Sequence, residues 1–520
     1  MSNNLGTVNL SLVEAPVTWR AYLICGFASF GGILYGYDSG YISGVLGMNY
    51  VKEHFGHPVP KSDDAPTGIQ ISTSRKSLIT SILSAGTFFG AIFGGAVAEI
   101  IGRRMAIMLS CLIFSIGVAV QVGTTSVGGL VAGRLVAGLG VGGVSSVVIL
   151  YVSEISPRRV RGVLVSMYQW AITIGLLVAS GIDQACKNRT NSTAYRLPIA
   201  IQFIWAFILA AGLFVLPESP RYYVRCGRTE DALRSLSRVR GQSPTHPAIQ
   251  AELAEIKANF EYEKRIASTS WTDCFKGGMS ANGNLRRILT GTALQMFQQW
   301  TGINFIFYYG TTFFQQVGLQ NPFLISTITN VVNVVTTPAS FYMIEKFGRR
   351  SLLIWGAVSM CLCEFIIAIV GAASPDGQAP WVVIGEIYPL PIRAKGVALA
   401  TASNWLWNCV IAVITPYLVD KEYGNLKSNV FFVWGSALFL CLMFAYLVIP
   451  ETKGLTLEQV DKMLEECTPR NSPNWTPHDT FAHEMAVAEF YHARLRENKP
   501  VAFHSNQTIH AGTMEDVTIV

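Results

Sequence analysis

The chain has 520 residues, 50% of them hydrophobic and 14% charged, with a mean hydropathy of +0.37. Soluble domains carry about a quarter charged residues, so this composition excludes one and points to a polytopic membrane protein. The net charge of +6 does not indicate a nucleic-acid partner, because Lys and Arg fall in short clusters between apolar runs, as the positive-inside rule places them in cytosolic loops.

Residues 1–18 form a cytosolic N-terminus without the basic start and cleavage site of a signal peptide, so the first span serves as the insertion signal. Apolar runs at 21–46, 78–101, 105–122, 130–152, 163–182 and 197–216 predict six membrane helices in an N-terminal half, 19–216. The stretch 217–287 is polar and carries twelve Lys and Arg, which assigns it to the cytosol. Within it Ile249, Leu253, Ile256 and Phe260 recur at helical spacing and predict short amphipathic helices beneath the membrane domain. Runs resume at 288–314, 322–344, 352–372, 397–419 and 430–449 in a C-terminal half, 288–454, before a polar cytosolic tail, 455–520. The fold class is therefore all-α, with about eleven spans where twelve are expected from the repeat described next.

The two halves repeat one another, the pattern expected of a transporter. Glu99-Ile-Ile-Gly102-Arg103-Arg104 recurs as Glu345-Lys-Phe-Gly348-Arg349-Arg350, and Glu154-Ile-Ser-Pro157 with Arg161 recurs as Glu386-Ile-Tyr-Pro389 with Arg393. Pro217-Glu218-Ser219 recurs as Pro450-Glu451-Thr452. Each copy sits where a span leaves the membrane, so these Glu and Arg residues are read as a conformational latch on the cytosolic side. Positive-inside topology accounts for the Arg residues but not for the matched Glu and Gly. The repeat also exposes a shortfall: 49 residues separate Arg104 from Glu154, but only 35 separate Arg350 from Glu386. Residues 378–385, left for a tenth span, would rise about 12 Å against a hydrocarbon core of about 30 Å.

Gln295, Gln298, Gln299, Asn304, Tyr308 and Tyr309 lie within fifteen residues of an apolar run. Polar groups at membrane depth face a protein interior or a wet cavity, and any one of these could instead be bonded between helices. In an unbroken helix Gln299 and Asn304 point about 140° apart, so both face one ligand only if the helix is interrupted, and Gly302 is the expected break. Uncharged amides and phenols suit a neutral polyol. Asp38, within Tyr35-Gly-Tyr-Asp-Ser-Gly-Tyr, is a carboxylate inside the first span and a functional candidate by cost alone; Glu364, in the ninth, has no assigned role. Sequons at Asn188 and Asn191 fall in the loop after the fifth span, outside if the N-terminus is cytosolic. The GxGxxG match at Gly138–Gly143 lies in an apolar run without a preceding strand and is read, with Gly86, Gly90 and Gly94, as helix packing. The ten cysteines are read as packing residues, and no metal, cofactor or enzymatic activity is expected.

These motifs together resemble the sugar porters of the major facilitator superfamily, most closely the fungal hexose and monosaccharide transporters. The resemblance implies two pseudo-symmetric six-helix halves with a hexose such as glucose between them near mid-membrane and access that alternates as they rock about it, in a monomeric protein of the plasma membrane. It carries sugar contact to Gln169, Gln298, Gln299, Asn304, Asn333, Trp381, Asn408 and Trp405, and more weakly to Tyr309. It also implies a proton partner, through an ion pair of Asp38 with Arg134. Facilitative members share these positions, so uniport stands as an alternative to symport, as do a non-transporting sugar sensor and an inactive splice or deletion variant.

Overall fold

The structure is a computed structural model that describes residues 18–58, 68–157, 160–266, 275, 278, 284–316, 321–370, 393–420 and most of 423–475. In the first half, helices α1 (Trp19–Ser29) and α2 (Gly31–Gly47) make up the first apolar run, and the short α3 (Asn49–Phe55) follows. Then come α4 (Thr73–Ile101), α5 (Arg103–Gly123), α6 (Val127–Ile155), α7 (Arg161–Cys186), α8 (Thr193–Ala200) and α9 (Gln202–Val215). Three connecting helices, α10 (Pro220–Arg225), α11 (Thr229–Arg240) and α12 (Pro247–Ile266), lead to the second half. That half contains α13 (Asn284–Gln299), α14 (Ile303–Gln316), α15 (Pro322–Phe347), α16 (Arg349–Val370), α17 (Arg393–Val419) and α18 (Val430–Val448). Among the described residues the β structure is one short antiparallel pairing of His57–Pro58 with Ile69–Gln70.

Seven helical stretches of 19–29 residues among those described are long and apolar enough to cross a membrane. Phe93 and Phe207 lie exposed on two of these, and Val335 and Trp355 on α15 and α16, a distribution suited to lipid and not to water. Residues 371–392, which include the 378–385 expected to hold a shortened tenth span, lie outside the described residues. Helix α7 runs to Cys186, past the expected end at 182.

Small residues set the closest contacts within the first half. A β-carbon on Gly86 or Gly90 of α4 would meet the Leu135 or Leu139 carbonyl of α6 at 2.3 or 2.2 Å, and one on Gly138 or Gly142 would meet Leu83 or Thr87 at 2.3 Å. The stripe therefore joins backbone to backbone, the way helices associate where lipid supplies no hydrophobic drive. Between halves, α2 packs on α14, α4 on α17 and α7 on α15. One apolar core runs through both halves, from Leu34 and Val148 to Phe305 and Trp434.

The connecting helices bury Val224, Leu236, Ile249 and Leu253 against one another, with Ile256 and Phe260 packed alongside. Arg240 holds them in place: it grips Glu252 through two bonds of 2.6 and 3.0 Å and donates to the Ile155 carbonyl, at the end of α6, at 2.8 Å.

Candidate functional site

The seventh apolar run breaks between Gln299 and Ile303, with Gly302 at φ +78°. A side chain there would meet the Trp434 ring at 2.6 Å, so both the turn and the packing require glycine. The break turns Asn304 back onto Gln299, whose Oε1 accepts from the Asn304 amide and, at 3.1 Å, from Asn408 Nδ2 of α17. Gln299 Nε2 donates to Gln298 Oε1 at 3.1 Å. Asn404, one turn before Asn408, donates to Gln295 Oε1 at 2.6 Å and to Gln298 Oε1. Asn408 Oδ1 accepts from Tyr308 at 3.1 Å and from Ser84 of α4 at 2.5 Å, so the network reaches into the first half. It carries no charge. Gln295 Nε2 and Asn404 Oδ1 are buried without a hydrogen-bond partner among the described residues, which leaves both a donor and an acceptor for a hydroxyl-bearing ligand.

The repeated motifs build two matching helix starts. At the start of α5, Glu218 accepts from the backbone N–H groups of Arg103 (3.0 Å) and Arg104 (2.9 Å). At the start of α16, Glu451 accepts from Arg349 (2.9 Å) and Arg350 (3.0 Å). A carboxylate there satisfies orphan donors and complements the helix dipole. The preceding residues, Gly102 and Gly348, have φ +94° and +85°, and a β-carbon on them would meet the carboxylate oxygens of Glu218 and Glu451 at 2.6 and 2.3 Å. Arg103 pairs with Glu154 at 2.8 Å with both side chains buried, Ser219 donates to the other Glu154 oxygen, and Arg225 pairs with Glu99 at 3.3 Å. Arg350 donates to the carbonyls of Ile449 (2.9 Å) and Tyr446 (2.8 Å). These bonds tie helices within each half. Burial holds the Glu218 carboxyl above its ordinary range, against the pull of the N–H groups of Ser219 and Arg104.

The profile of the Sugar (and other) transporter family matches residues 24–379 and 373–464. The chain belongs to the sugar transporter family. It is 43% identical over 499 residues to the major facilitator-type transporter ecdD of Aspergillus rugulosus, covering 89% of this chain and 91% of that protein. It is 39% identical over 493 residues to the high glucose sensor RGT2 of Saccharomyces cerevisiae, covering 89% of this chain and 63% of the sensor. The proton:xylose symporter XylE, solved with 6-bromo-6-deoxy-D-glucose bound, superposes with a TM-score of 0.71 at 26% identity, over 88% of this chain and all of XylE. This member of the sugar transporter family is thus a multi-pass membrane protein with the major facilitator fold, and not an enzyme. The two matched pieces meet at 373–379, inside the interval too short for a full tenth span.

Of the positions carried over to this chain from the family, Gln298, Gln299, Asn304 and Asn408 share the amide network. Trp405 lies beside it, donating to Ser145 Oγ of α6 at 3.3 Å and meeting the Tyr35 ring edge-on at 5.0 Å. Tyr309 donates to the Ala412 carbonyl at 2.7 Å, a tie from α14 to α17. Asn333 is buried on α15, and Gln169 is half-buried on α7 with its Oε1 unpartnered among the described residues; neither joins the network. Trp381 and Glu386 lie outside the described residues, as do the side chains of Arg161, Glu345, Glu364 and Arg393. Asn188 and Asn191 are exposed in the α7–α8 loop, where Thr193 donates to the Asn191 amide oxygen.

The ion pair implied for Asp38 and Arg134 is not among those formed by the described residues. Both are fully buried, but the Arg134 guanidinium donates to Tyr41 OH at 2.6 Å and lies 5.5 Å from the Tyr41 ring centroid. Tyr41, three residues along α2 from Asp38, competes for the cation, and neither Asp38 oxygen has a hydrogen-bond partner among the described residues. Asn404 was not anticipated, although its four-residue spacing from Asn408 places both on one helix face. Asp183, a further buried carboxylate, was not anticipated either.

Proposed function

We propose that this protein carries a hexose such as glucose across the plasma membrane by alternating access, with both termini cytosolic and a proton moving with the sugar. The observation that carries the reading is the uncharged amide network, shared between the two halves through Ser84 and Asn408, with a buried donor and acceptor to spare. A neutral sugar loses water hydrogen bonds on entering a membrane protein, and only neutral donors and acceptors replace them without leaving a buried charge. Rocking of the halves would make and break contacts across this shared network. The likeness to a high glucose sensor and to a proton:xylose symporter supports a sugar ligand, and the symport of XylE supports Asp38 as the group that a proton neutralises.

The test is labelled glucose uptake in cells lacking hexose carriers, at matched surface abundance, with and without a protonophore. Uptake is expected, with accumulation but not equilibration lost to the protonophore. Gln299→Ala and Asn408→Ala each are expected to reduce it about tenfold or more at equal abundance, since a site built to bond hydroxyls loses about 1–3 kcal/mol per missing partner. Uptake untouched by either change would overturn the site. The likeness to RGT2 favours a second reading, a sensor that binds glucose without carrying it. Glucose binding with no uptake, including in a version given a full-length tenth span, would select it.

A further inference from the structure

A second polar cavity lies apart from the amide network, in the seam where α2 and α7 of one half meet α14 and α15 of the other. Its walls include Asp183, Asn330, Ser43, Thr311, Ser180 and Thr329. Asp183 is 2% exposed and Asn330 7% exposed, and the Oδ1 atom of each is buried without a hydrogen-bond partner among the described residues. Gly44 of α2 lets the carboxylate in, since a β-carbon there would lie 2.2 Å from Asp183 Oδ2. Three of the hydroxyls around it have committed their protons elsewhere: Ser180 donates to the Leu177 carbonyl at 2.9 Å, Thr329 to Ile325 at 3.0 Å and Ser43 to Thr311 Oγ1 at 3.2 Å. Thr311 and Ser326 share one hydrogen bond at 3.1 Å, and the Oδ1 atoms of Asp183 and Asn330 remain as unpartnered acceptors. The space suits a water-sized occupant and excludes a hexose.

We propose that Asp183 and Asn330 form a site for a single positive charge, a proton or a sodium ion, held in the seam while the two halves are closed over it. A buried carboxylate without a hydrogen-bond donor is costly until one positive charge neutralises it, and the carboxylate, amide and hydroxyl oxygens of the wall suit a hard cation or a proton alike. The site spans both halves, so its occupant favours the arrangement that brings α7 to α15. Tyr37 of α2 and Cys186 of α7 are the ionisable neighbours that feel the charge of Asp183, and the Lys187 ammonium lies 5.9 Å from the ring of Phe323 on the cavity wall. The parts of α14 and α15 that line the cavity contribute no ionisable group.

The test is thermal unfolding of the purified full-length chain in detergent, without sugar, across pH 5 to 8 in choline chloride and then at pH 8 as sodium replaces choline. The melting temperature is expected to rise by about 3 °C or more as pH falls if the charge is a proton, or with sodium at fixed pH if it is that ion. Asp38→Asn, which removes the other buried carboxylate with no hydrogen-bond partner among the described residues, should keep a response, and Asp183→Asn added to it should abolish what remains. A wild-type chain indifferent to both, or an Asp183→Asn chain that responds like wild type, overturns the proposal. Should that variant not fold, Asn330→Ala, which keeps the carboxylate, is expected to move the midpoint at least about threefold in proton or sodium concentration, and an unmoved midpoint overturns it equally. The measurement needs no transport, so a chain that responds here but carries no hexose retains this site while ending the transport reading.

Discussion

Lys52 lies on α3, beyond the membrane helices, and donates to Gln315 of the opposite half at 3.0 Å. Burial, and then the neighbouring charge of Lys76, lower its pKa to about 8. The unfolded chain holds this proton to near the ordinary lysine value of about 10.4, so from about pH 8 to 10 it binds more proton than the folded chain, and stability rises with pH. Thermal unfolding of wild type against Lys52→Met is expected to show that rise in wild type and a flatter profile in the variant; parallel profiles would contradict the assignment. The amide cluster was legible at this scale because Gln and Asn are conspicuous in an apolar run. Asp183 was not: the apolar run ends at 182, so the next residue reads as loop, while the helix continues to Cys186 and draws the carboxylate inside. Tyr41 escaped notice for the opposite reason, since one more tyrosine in a membrane helix gives no sign that it will hold Arg134.

At the scale of the helix, the repeated Gly-Arg-Arg motifs start α5 and α16 in the same way. The repeat itself was plain in the sequence, and its Glu residues read there as parts of a latch. Glu218 and Glu451 cap backbone N–H groups from over a hundred residues away, a pairing that no local pattern announces. Gly102→Ala and Gly348→Ala are each expected to cost about 1–3 kcal/mol of strain and to push the capping carboxylate aside. Surface abundance and melting temperature should fall in both, and hold in Gly181→Ala, where a β-carbon meets nothing within 4 Å. Equal behaviour of the three would show that the positive φ and the cap do not matter.

At the scale of the whole molecule, the two halves are joined at the end remote from these helix starts. Lys76 of α4 pairs with Asp420, just past α17, at 3.6 Å with both side chains largely buried, and Thr73 donates to the same carboxylate at 2.6 Å. Nothing in the sequence joins positions 347 residues apart, so this closure is a product of the assembled fold. Removing one partner of a buried pair costs about 3–5 kcal/mol, which weakens the closed arrangement. In detergent, labelling of Ser43→Cys by a water-soluble maleimide is expected to accelerate about tenfold when Asp420→Asn is added. An unchanged rate would show that the pair does not hold this end shut.

The glycine seam of α4 and α6 bears on how the protein is made. Both sides of that seam lie within residues 73–155, and its tightest contacts need no side chain from the second half. A nascent chain emerging from the ribosome therefore has all the parts of this joint long before α13 exists, and domains generally fold as they are synthesised. The α4–α6 joint can close in the membrane before the second half is made, so that half meets a surface already in place.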